Sequence, residues 1–235
     1  MTASPTEDAA IEIKSVVFAW PGQAPVLDVD RFSLSRGERV FLVGPSGSGK
    51  STLLGLIAGV SKPQQGEINV LGVDMTALSD SRRDALRADQ LGVIFQLFNL
   101  LPFLSPIENV LLPLRFSSAR ARRVEGSDRS EALRLLNRLG LEGDVLTRPA
   151  VNLSVGQQQR VAAARALIGS PGLVIADEPT SALDADTRDA FIGLLKEECA
   201  RTGAALLFVS HDPGLAGSFE RVVDLREINT AGETV

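Results

Sequence analysis

Cysteine and histidine are almost absent from this 235-residue chain, which contains only Cys199 and His211. A single cysteine excludes an internal disulfide framework and a metal site built from several cysteines. A single histidine likewise excludes a zinc site that needs two or three histidine ligands. We expect Cys199, which falls in a predicted helix, to be a small buried hydrophobe without a redox role.

An excess of basic charge and a long apolar run are also missing. The 24 basic and 29 acidic residues give a net charge of −5, whereas a general nucleic-acid binder needs a basic surface. No uninterrupted apolar run reaches about 18 residues, the length that suggests a membrane-spanning helix. The N-terminus lacks the basic and apolar segments of an export signal. The sequence therefore favours a soluble cytoplasmic protein that does not bind nucleic acid.

Hydrophobic residues make up 44% of the chain, and their spacing alternates between strand-like and helix-like patterns. Strands are predicted at residues 11–18, 40–43, 68–71, 93–95, 173–176 and 204–209. Helices are predicted at about residues 53–57, 79–88, 131–139, 156–168 and 186–201. This alternation predicts an α/β fold with a mostly parallel sheet. The arginine-rich stretch 117–130 is interpreted as a solvated connector, with a binding patch as the alternative.

A glycine-rich segment, Gly44-Pro-Ser-Gly-Ser-Gly-Lys50-Ser51, lies between a predicted strand and a predicted helix. This is the P-loop pattern in its expected context. Glycines let backbone N–H groups surround phosphate oxygens, and the N-terminus of the following helix favours the same anion. Lys50 would neutralise the β- and γ-phosphates, and the Ser51 hydroxyl would bind Mg²⁺. The predicted nucleotide-binding residues of this segment are Gly44, Ser46, Gly47, Ser48, Gly49, Lys50, Ser51 and Thr52.

Two acids, Asp177 and Glu178, directly follow the continuous apolar segment 173–176, which suits a strand buried on both faces. An acid at the end of a second buried strand is expected beside a P-loop, where Asp177 would hold Mg²⁺ through water. Because the backbone turns at a strand end, Glu178 could also face the phosphates and polarise an attacking water. An acid pair that caps a helix is the alternative.

Three further motifs separate the chain from other P-loop proteins: Leu153-Ser-Val-Gly-Gln157 with the run that follows it, Pro179-Thr-Ser-Ala-Leu-Asp184, and Ser210-His211-Asp212. In order and spacing they resemble the nucleotide-binding subunit of an ATP-binding-cassette (ABC) transporter, and the resemblance covers about residues 11–225. It implies a P-loop ABC ATPase fold, with a mixed or parallel sheet core and a helical sub-domain at about residues 97–167, in a single domain over residues 1–235. The chain departs from the most frequent signature at Val155, where the family usually has glycine.

The resemblance also implies catalytic and binding roles. Gln96 would contact Mg²⁺ and the attacking water, so that the implied metal ligands are Ser51, Gln96 and Asp177. Gln96, Glu178 and His211 would be catalytic, with His211 contacting the γ-phosphate. Trp20 occupies the place of an aromatic side chain that stacks on adenine, with ordinary core packing as the alternative.

A second copy of the chain is part of the implied mechanism. Two copies would pack head to tail and bury ATP between them. Ser154, Gly156 and Gln157 of one copy would approach the γ-phosphate held by the other, and Asp184 would lie in the loop that crosses the interface. Hydrolysis would remove the γ-phosphate that links the copies, and the dimer would open.

The apolar segment Leu97–Leu104 is the remaining feature, and a surface this apolar suggests a docking groove. In the family this region receives short helices from a membrane permease; packing within the helical sub-domain is the other use. Residues 71–78 and 92–102 are similar to the lipoprotein-release, macrolide-export and glycolipid-export branch. The resemblance implies an ATPase that powers a separate permease, as an exporter or a mechanotransmission-type complex, from the inner face of the cell membrane. The alternative is an ATP-gated scaffold of a membrane complex, as in a cell-division relative.

Overall fold

The structure is a computed structural model that describes residues 8–181, 183 and 185–231. The chain divides into two compact units, one formed by the segments up to Arg87 and from Ala205 onward, the other by Ala88–Ala204. The strands are β1 (Ala9–Ala19), β2 (Pro25–Ser35), β3 (Arg39–Val43), β4 (Gln65–Val70), β5 (Val73–Asp74), β6 (Leu91–Ile94), β7 (Leu173–Asp177), β8 (Ala205–Ser210) and β9 (Arg221–Asp224). The α-helices are α1 (Lys50–Ile57), α2 (Asp80–Gln90), α3 (Pro106–Phe116), α4 (Ser118–Ala121), α5 (Asp128–Arg138), α6 (Val155–Leu167), α7 (Ala185–Thr202) and α8 (Leu225–Ile228). Short 3₁₀ helices cover Gly143–Thr147, Ala150–Asn152 and Pro213–Ser218.

The first unit contains an antiparallel and a parallel set of strands. β1 pairs antiparallel with β2 and β4, and β4 continues to the short β5. β3 lies between β8 and β9 and runs parallel to both. Phe41 of β3 packs against Phe208 of β8 and against Phe219, with ring centroids 6.1 and 5.4 Å apart. This aromatic cluster fixes the strand that leads into the glycine-rich loop, since rings at such distances interact favourably beyond the area they bury.

The second unit holds β6 and β7, which pair in parallel, together with α3 to α7. β6 and the end of α6 approach closely at Gly92, where an added Cβ would lie 2.2 Å from the carbonyl oxygen of Ala166. Only glycine allows this approach of helix and strand. Among the described residues, every helix is too short or too polar to cross a bilayer.

The arginine-rich stretch 117–130 differs from its predicted role as a solvated connector. Arg120 is 2% exposed, and its guanidinium donates to the carbonyl oxygens of Ile168, Ala166 and Leu91 at 2.7, 2.6 and 2.9 Å. Burial lowers its pKa to about 10, with a further contribution from the Arg123 charge. Arg120 therefore ties this stretch to α6 and β6, because backbone carbonyls that have lost water need a donor.

Candidate functional site

The phosphate loop lies in the first unit, between the end of β3 at Val43 and the start of α1 at Lys50. Gly47 and Gly49 have φ angles of 82° and 96°, a left-handed conformation that glycine adopts without steric cost. A Cβ at Gly49 would lie 2.9 Å from a methyl carbon of Leu27, and one at Gly44 would lie 2.8 Å from Oγ of Ser48. Glycine is thus favoured at Gly47 by backbone conformation, at Gly44 by space, and at Gly49 by both.

Lys50 and Ser48 give the loop its polar interior. Lys50 is only 8% exposed. Its ammonium donates to the carbonyl oxygens of Gly44 and Pro45 at 2.6 and 2.9 Å. Oγ of Ser48 is buried and has no hydrogen-bond partner among the described residues. A buried hydroxyl without a partner is unfavourable unless a ligand satisfies it, so the loop fits an anion such as phosphate.

A cavity of about 640 Å³ opens beside the phosphate loop. Its lining residues are Pro25, Val26, Pro45, Ser46, Gly47, Ser48, Leu225, Arg226, Asn229 and Ala231. Trp20 follows the end of β1 and is 44% exposed, with its ring edge-to-face on Phe18 at a centroid distance of 5.0 Å. Trp20 is thus partly exposed, and it is not among the residues that line the cavity.

His211 lies at the same sheet edge as the phosphate loop. Val43 and Ser210 are register partners in the parallel β3–β8 pair, so Gly44 and His211 both follow the carboxyl ends of neighbouring strands. His211 is exposed there, and ligands of α/β sheets bind at this edge. The next residue, Asp212, caps the following 3₁₀ helix by accepting from the Gly214 N–H at 2.9 Å.

In the second unit, an equivalent register brings Gln96 and Glu178 to one edge. Ile94 of β6 pairs with Ala176 of β7, and each candidate residue lies two positions further along. Glu178 is 8% exposed and has a φ of 47°. Such a conformation is uncommon for a non-glycine residue and clusters at functional sites. The backbone turn expected after Asp177, which is half-buried at the end of β7, is therefore present.

The signature segment opens helix α6. Ser154 caps the helix, its Oγ accepting from the Gln157 N–H at 3.3 Å while its own N–H donates to Oε1 of Gln157 at 2.9 Å. This capping box follows from the spacing of a serine and a glutamine three residues later. Val155, the departure from the common signature, is the first helical residue and is 51% exposed. Asp184, the remaining predicted residue of the dimer interface, lies outside the described residues.

Arg165 is a site-supporting residue that the sequence did not single out. From α6 it donates to the carbonyl oxygens of Asn99 and Phe98 at 2.7 and 2.5 Å. Both residues have left-handed backbone, with φ of 49° and 59°, just after Gln96. Burial lowers the pKa of Arg165. The signature helix thus holds the segment that carries Gln96, a link between residues far apart in sequence.

The strand, glycine-rich loop and helix around Lys50 define a P-loop protein that binds nucleoside triphosphates. The family model for ABC transporters matches residues 27–181. The chain therefore belongs to the ABC transporter family and is an ATP-binding and ATP-hydrolysing subunit, which confirms the predicted function and enzyme class.

Individual relatives support the same family and branch. The lipoprotein-releasing system ATP-binding protein LolD of Anaeromyxobacter dehalogenans is 42% identical over 227 residues, covering 95% of this chain and 93% of LolD. The macrolide export ATP-binding/permease protein MacB of Photorhabdus laumondii is 36% identical over 223 residues, covering 94% of this chain and 34% of MacB. The dimeric structure of the ATP-binding cassette MJ0796 bound to ADP and Pi, a post-hydrolysis state, has a TM-score of 0.81 at 36% identity and covers 91% of this chain and 93% of that one. The predicted fold class is thereby confirmed.

Proposed function

We propose that the chain binds ATP with Mg²⁺, hydrolyses it as a head-to-tail dimer of two copies and so powers a separate membrane permease of the export type. The observation that supports this most is the phosphate cradle, in which Lys50 is enclosed by the loop and Ser48 offers a buried hydroxyl without a partner in the part of the chain that the structure describes. Such a cradle suits a polyphosphate. LolD and MacB carry names that refer to lipoprotein release and macrolide export, which favours transport over the scaffold alternative.

The side chains singled out in the sequence have proposed parts in the reaction. Lys50 offsets the charge of the β- and γ-phosphates, and Trp20 stacks on the adenine. Glu178 accepts a proton from the attacking water, Gln96 orients that water, and His211 donates a hydrogen bond to the γ-phosphate.

Magnesium enters the proposal through ligand chemistry. Ser51 is exposed in the first turn of α1, Asp177 is half-buried at a strand end and Gln96 is exposed in a turn. All three side chains offer oxygen atoms, the ligands that Mg²⁺ prefers. When bound, the metal would neutralise charge on the phosphate oxygens.

Gly156 supports the dimer. A Cβ at this position would lie 3.5 Å from Leu183, an ordinary van der Waals contact, and Gly156 lies within the regular helix α6. Within the residues that the structure describes, one chain therefore gives no steric reason for glycine here. A second copy that brings its ATP against this helix N-terminus would need the space, because a helix N-terminus attracts phosphate.

The proposed permease-docking surface is an apolar patch in the second unit that follows β6. The exposed fractions of Leu97 and Phe103 are 83% and 71%, and those of Phe95 and Leu101 are 42% and 38%. Large apolar side chains clustered on a surface mark interaction sites. Because the segment begins beside Gln96, a permease seated here would sense the reaction site directly.

Steady-state phosphate release by the purified full chain tests the enzymatic part. We expect turnover of ATP with Mg²⁺ and none after EDTA removes the metal. A folded chain that does not bind ATP would contradict the proposed function as a whole, and hydrolysis that persists in EDTA would contradict the metal assignment.

Cell fractionation tests the permease part. In the cell that naturally makes the protein, the wild type should be recovered with the membranes, and Phe103→Asp should shift it to the soluble fraction. The matched control is Phe116→Asp, since Phe116 is 77% exposed but lies at the end of α3, outside the patch. Equal release of both variants would argue against docking at this patch.

A further inference from the structure

The segment that follows β9 packs against both ends of the phosphate loop. At the first end, a Cβ on Gly44 would lie 3.3 Å from Cβ of Leu225. At the other end, Nδ2 of Asn229 donates to the carbonyl oxygen of Ser48 at 3.3 Å. Both residues also line the cavity beside the loop. The segment is thus a structural neighbour of the nucleotide site, although none of the motifs identified in the sequence includes it.

The Asn229 side chain uses its full hydrogen-bonding capacity. Nδ2 also donates to the carbonyl oxygen of Val26 at 3.1 Å, while Oδ1 accepts from the N–H groups of Asp28 and Ala231 at 2.8 and 3.2 Å. A carboxamide has two N–H donors and two acceptor lone pairs. With all of them occupied, the side chain has one defined orientation and can fix the groups it contacts.

Ser48 is the contact that matters for nucleotide binding. The peptide bond between Ser48 and Gly49 is planar and trans, so its carbonyl and its N–H point in opposite directions. A hydrogen bond that fixes the Ser48 carbonyl towards Asn229 therefore fixes the Gly49 N–H away from it. Gly49 is the left-handed residue at the N-terminus of α1, with φ of 96°, where an N–H group is suited to bind phosphate.

We propose that Asn229 is a positioning residue for ATP: through the Ser48 carbonyl it aims the Gly49 N–H at the bound phosphates. The inference rests on the proposed function, because it requires ATP at this loop. Asn229 itself does not contact the nucleotide in this scheme. Its loss leaves the peptide between Ser48 and Gly49 free to rotate, and this weakens binding rather than the chemical step.

Thr230 provides the matched control. Its N–H and hydroxyl donate to the carbonyl oxygen of Asp28 at 2.9 and 3.2 Å, so it attaches the same segment to β2 without a bond to the phosphate loop. If Asn229 only fastened the segment, changes at Thr230 and at Asn229 would have similar effects on nucleotide affinity.

The experiment measures the Kd and KM for ATP, kcat and the melting temperature for the wild type, Asn229→Ala, Asn229→Asp and Thr230→Asp. Asn229→Asp keeps both acceptor contacts and removes both donors, and Thr230→Asp adds the same charge one residue away. We expect both Asn229 variants to raise Kd and KM about tenfold with kcat within about twofold, since the lost contact acts on binding. Thr230→Asp should change Kd by less than about threefold.

The outcomes separate this inference from the proposed function. A wild type that binds no ATP overturns both. A wild type that binds ATP, with Asn229→Ala and Asn229→Asp binding as tightly, overturns the positioning role alone. A fall in kcat at unchanged KM in the Asn229 variants indicates a loss of folded protein and also overturns it. An equal loss of affinity in Thr230→Asp does the same.

Discussion

The ammonium of Lys50 lies 2.6 Å from the carbonyl oxygen of Gly44, the residue that opens the phosphate loop. Backbone carbonyl oxygens of the phosphate loop therefore hold the Lys50 ammonium inside the loop. A carboxylate partner is not needed to position this charge. A pre-positioned cation loses little conformational freedom when it binds phosphate.

The first prediction concerns Lys50→Ala. Removing a charge-assisted contact to phosphate should weaken ATP binding about ten- to a hundredfold. Titration with ATP by calorimetry measures the affinity. Lys62→Ala is the control, because Lys62 is exposed and lies outside the loop in the sequence. Unchanged affinity in the folded Lys50 variant would refute its phosphate role.

The second prediction concerns Glu178→Gln. The amide cannot accept the proton of the attacking water, so turnover should fall about a hundredfold or more while ATP binding is retained. With the γ-phosphate intact, the two copies should stay associated, which size-exclusion chromatography with ATP would detect. Glu67→Gln, at an exposed position, should behave as the wild type. Full hydrolysis by the Glu178 variant would remove this residue from the role of base.

Much of the parallel-sheet architecture was predictable, and one long strand was not. The continuous apolar segments that form β3, β7 and β8 are predicted from their local hydrophobic pattern alone. β2 was missed because its inward residues break the alternation: Leu27 and Val29 are followed by Phe32 and Leu34, with two exposed residues between the pairs. A strand whose inward-facing positions shift by one residue no longer shows the two-residue hydrophobic period that predicts a strand.

The arginines show a different limit of prediction from the sequence. Arg120 and Arg165 bind backbone carbonyls of segments distant in sequence, and no local pattern reports where those carbonyls will lie. The motif residues Gly44–Ser51, by contrast, act through local backbone geometry, which the spacing of glycines already specifies. The spacing of Ser154 and Gln157 also matches a helix-start signal, although these residues are singled out in the sequence only for the γ-phosphate contact that the family resemblance implies.

The third prediction uses Gly156→Ala to separate folding from assembly. Alanine is the better helix former and has room within its own chain, so stability should be unchanged or rise by up to about 1 kcal/mol. The ATPase rate and ATP-dependent dimerisation should nevertheless fall at least about tenfold, because the added methyl group meets the partner's nucleotide. Gly193→Ala, where a Cβ meets no atom within 4 Å, should affect neither. A fully active Gly156→Ala would contradict the proposed dimer contact.

The fourth prediction concerns Arg165→Lys. Lysine keeps the charge but cannot reach both carbonyls with a planar fork, so residues 97–100 should lose support. Hydrogen exchange of amides in this segment should accelerate about tenfold, whereas Arg160→Lys on the same helix should leave the segment protected. Equal protection from hydrogen exchange in Arg165→Lys and the wild type would show that residues 97–100 are stable without the Arg165 contacts.

The fifth prediction concerns acid stability. Glu198 is 2% exposed; burial raises its pKa, but hydrogen bonds and charges from Arg134 and Arg201 outweigh this and hold it below the ordinary value of 4.5. A carboxyl with a lowered folded-state pKa contributes stability above its unfolded value, and the contribution is lost as pH falls through the folded value. Glu198→Gln should cost about 1 to 3 kcal/mol at pH 7, because its hydrogen bonds to charged partners are weakened.

The same substitution should flatten the fall of melting temperature below about pH 4.5, because the group that titrates has been removed. Thermal melts from neutral to acid pH measure both effects. Glu125→Gln, at an exposed position, is the control and should follow the wild type. If the melting temperature of the Glu198 variant falls at acid pH as steeply as that of the wild type, other carboxyl groups cause the fall.

The burial of Cys199, which is 0% exposed as expected from the sequence, has a practical consequence. The chain's one native thiol is shielded from reagents in water, so the natural protein is already a clean background for site-directed labelling. A spin probe or fluorophore attached to an introduced surface thiol would report from one known place without prior mutagenesis of the core. Distances between such probes on two copies could then follow assembly and release through the ATP cycle in real time.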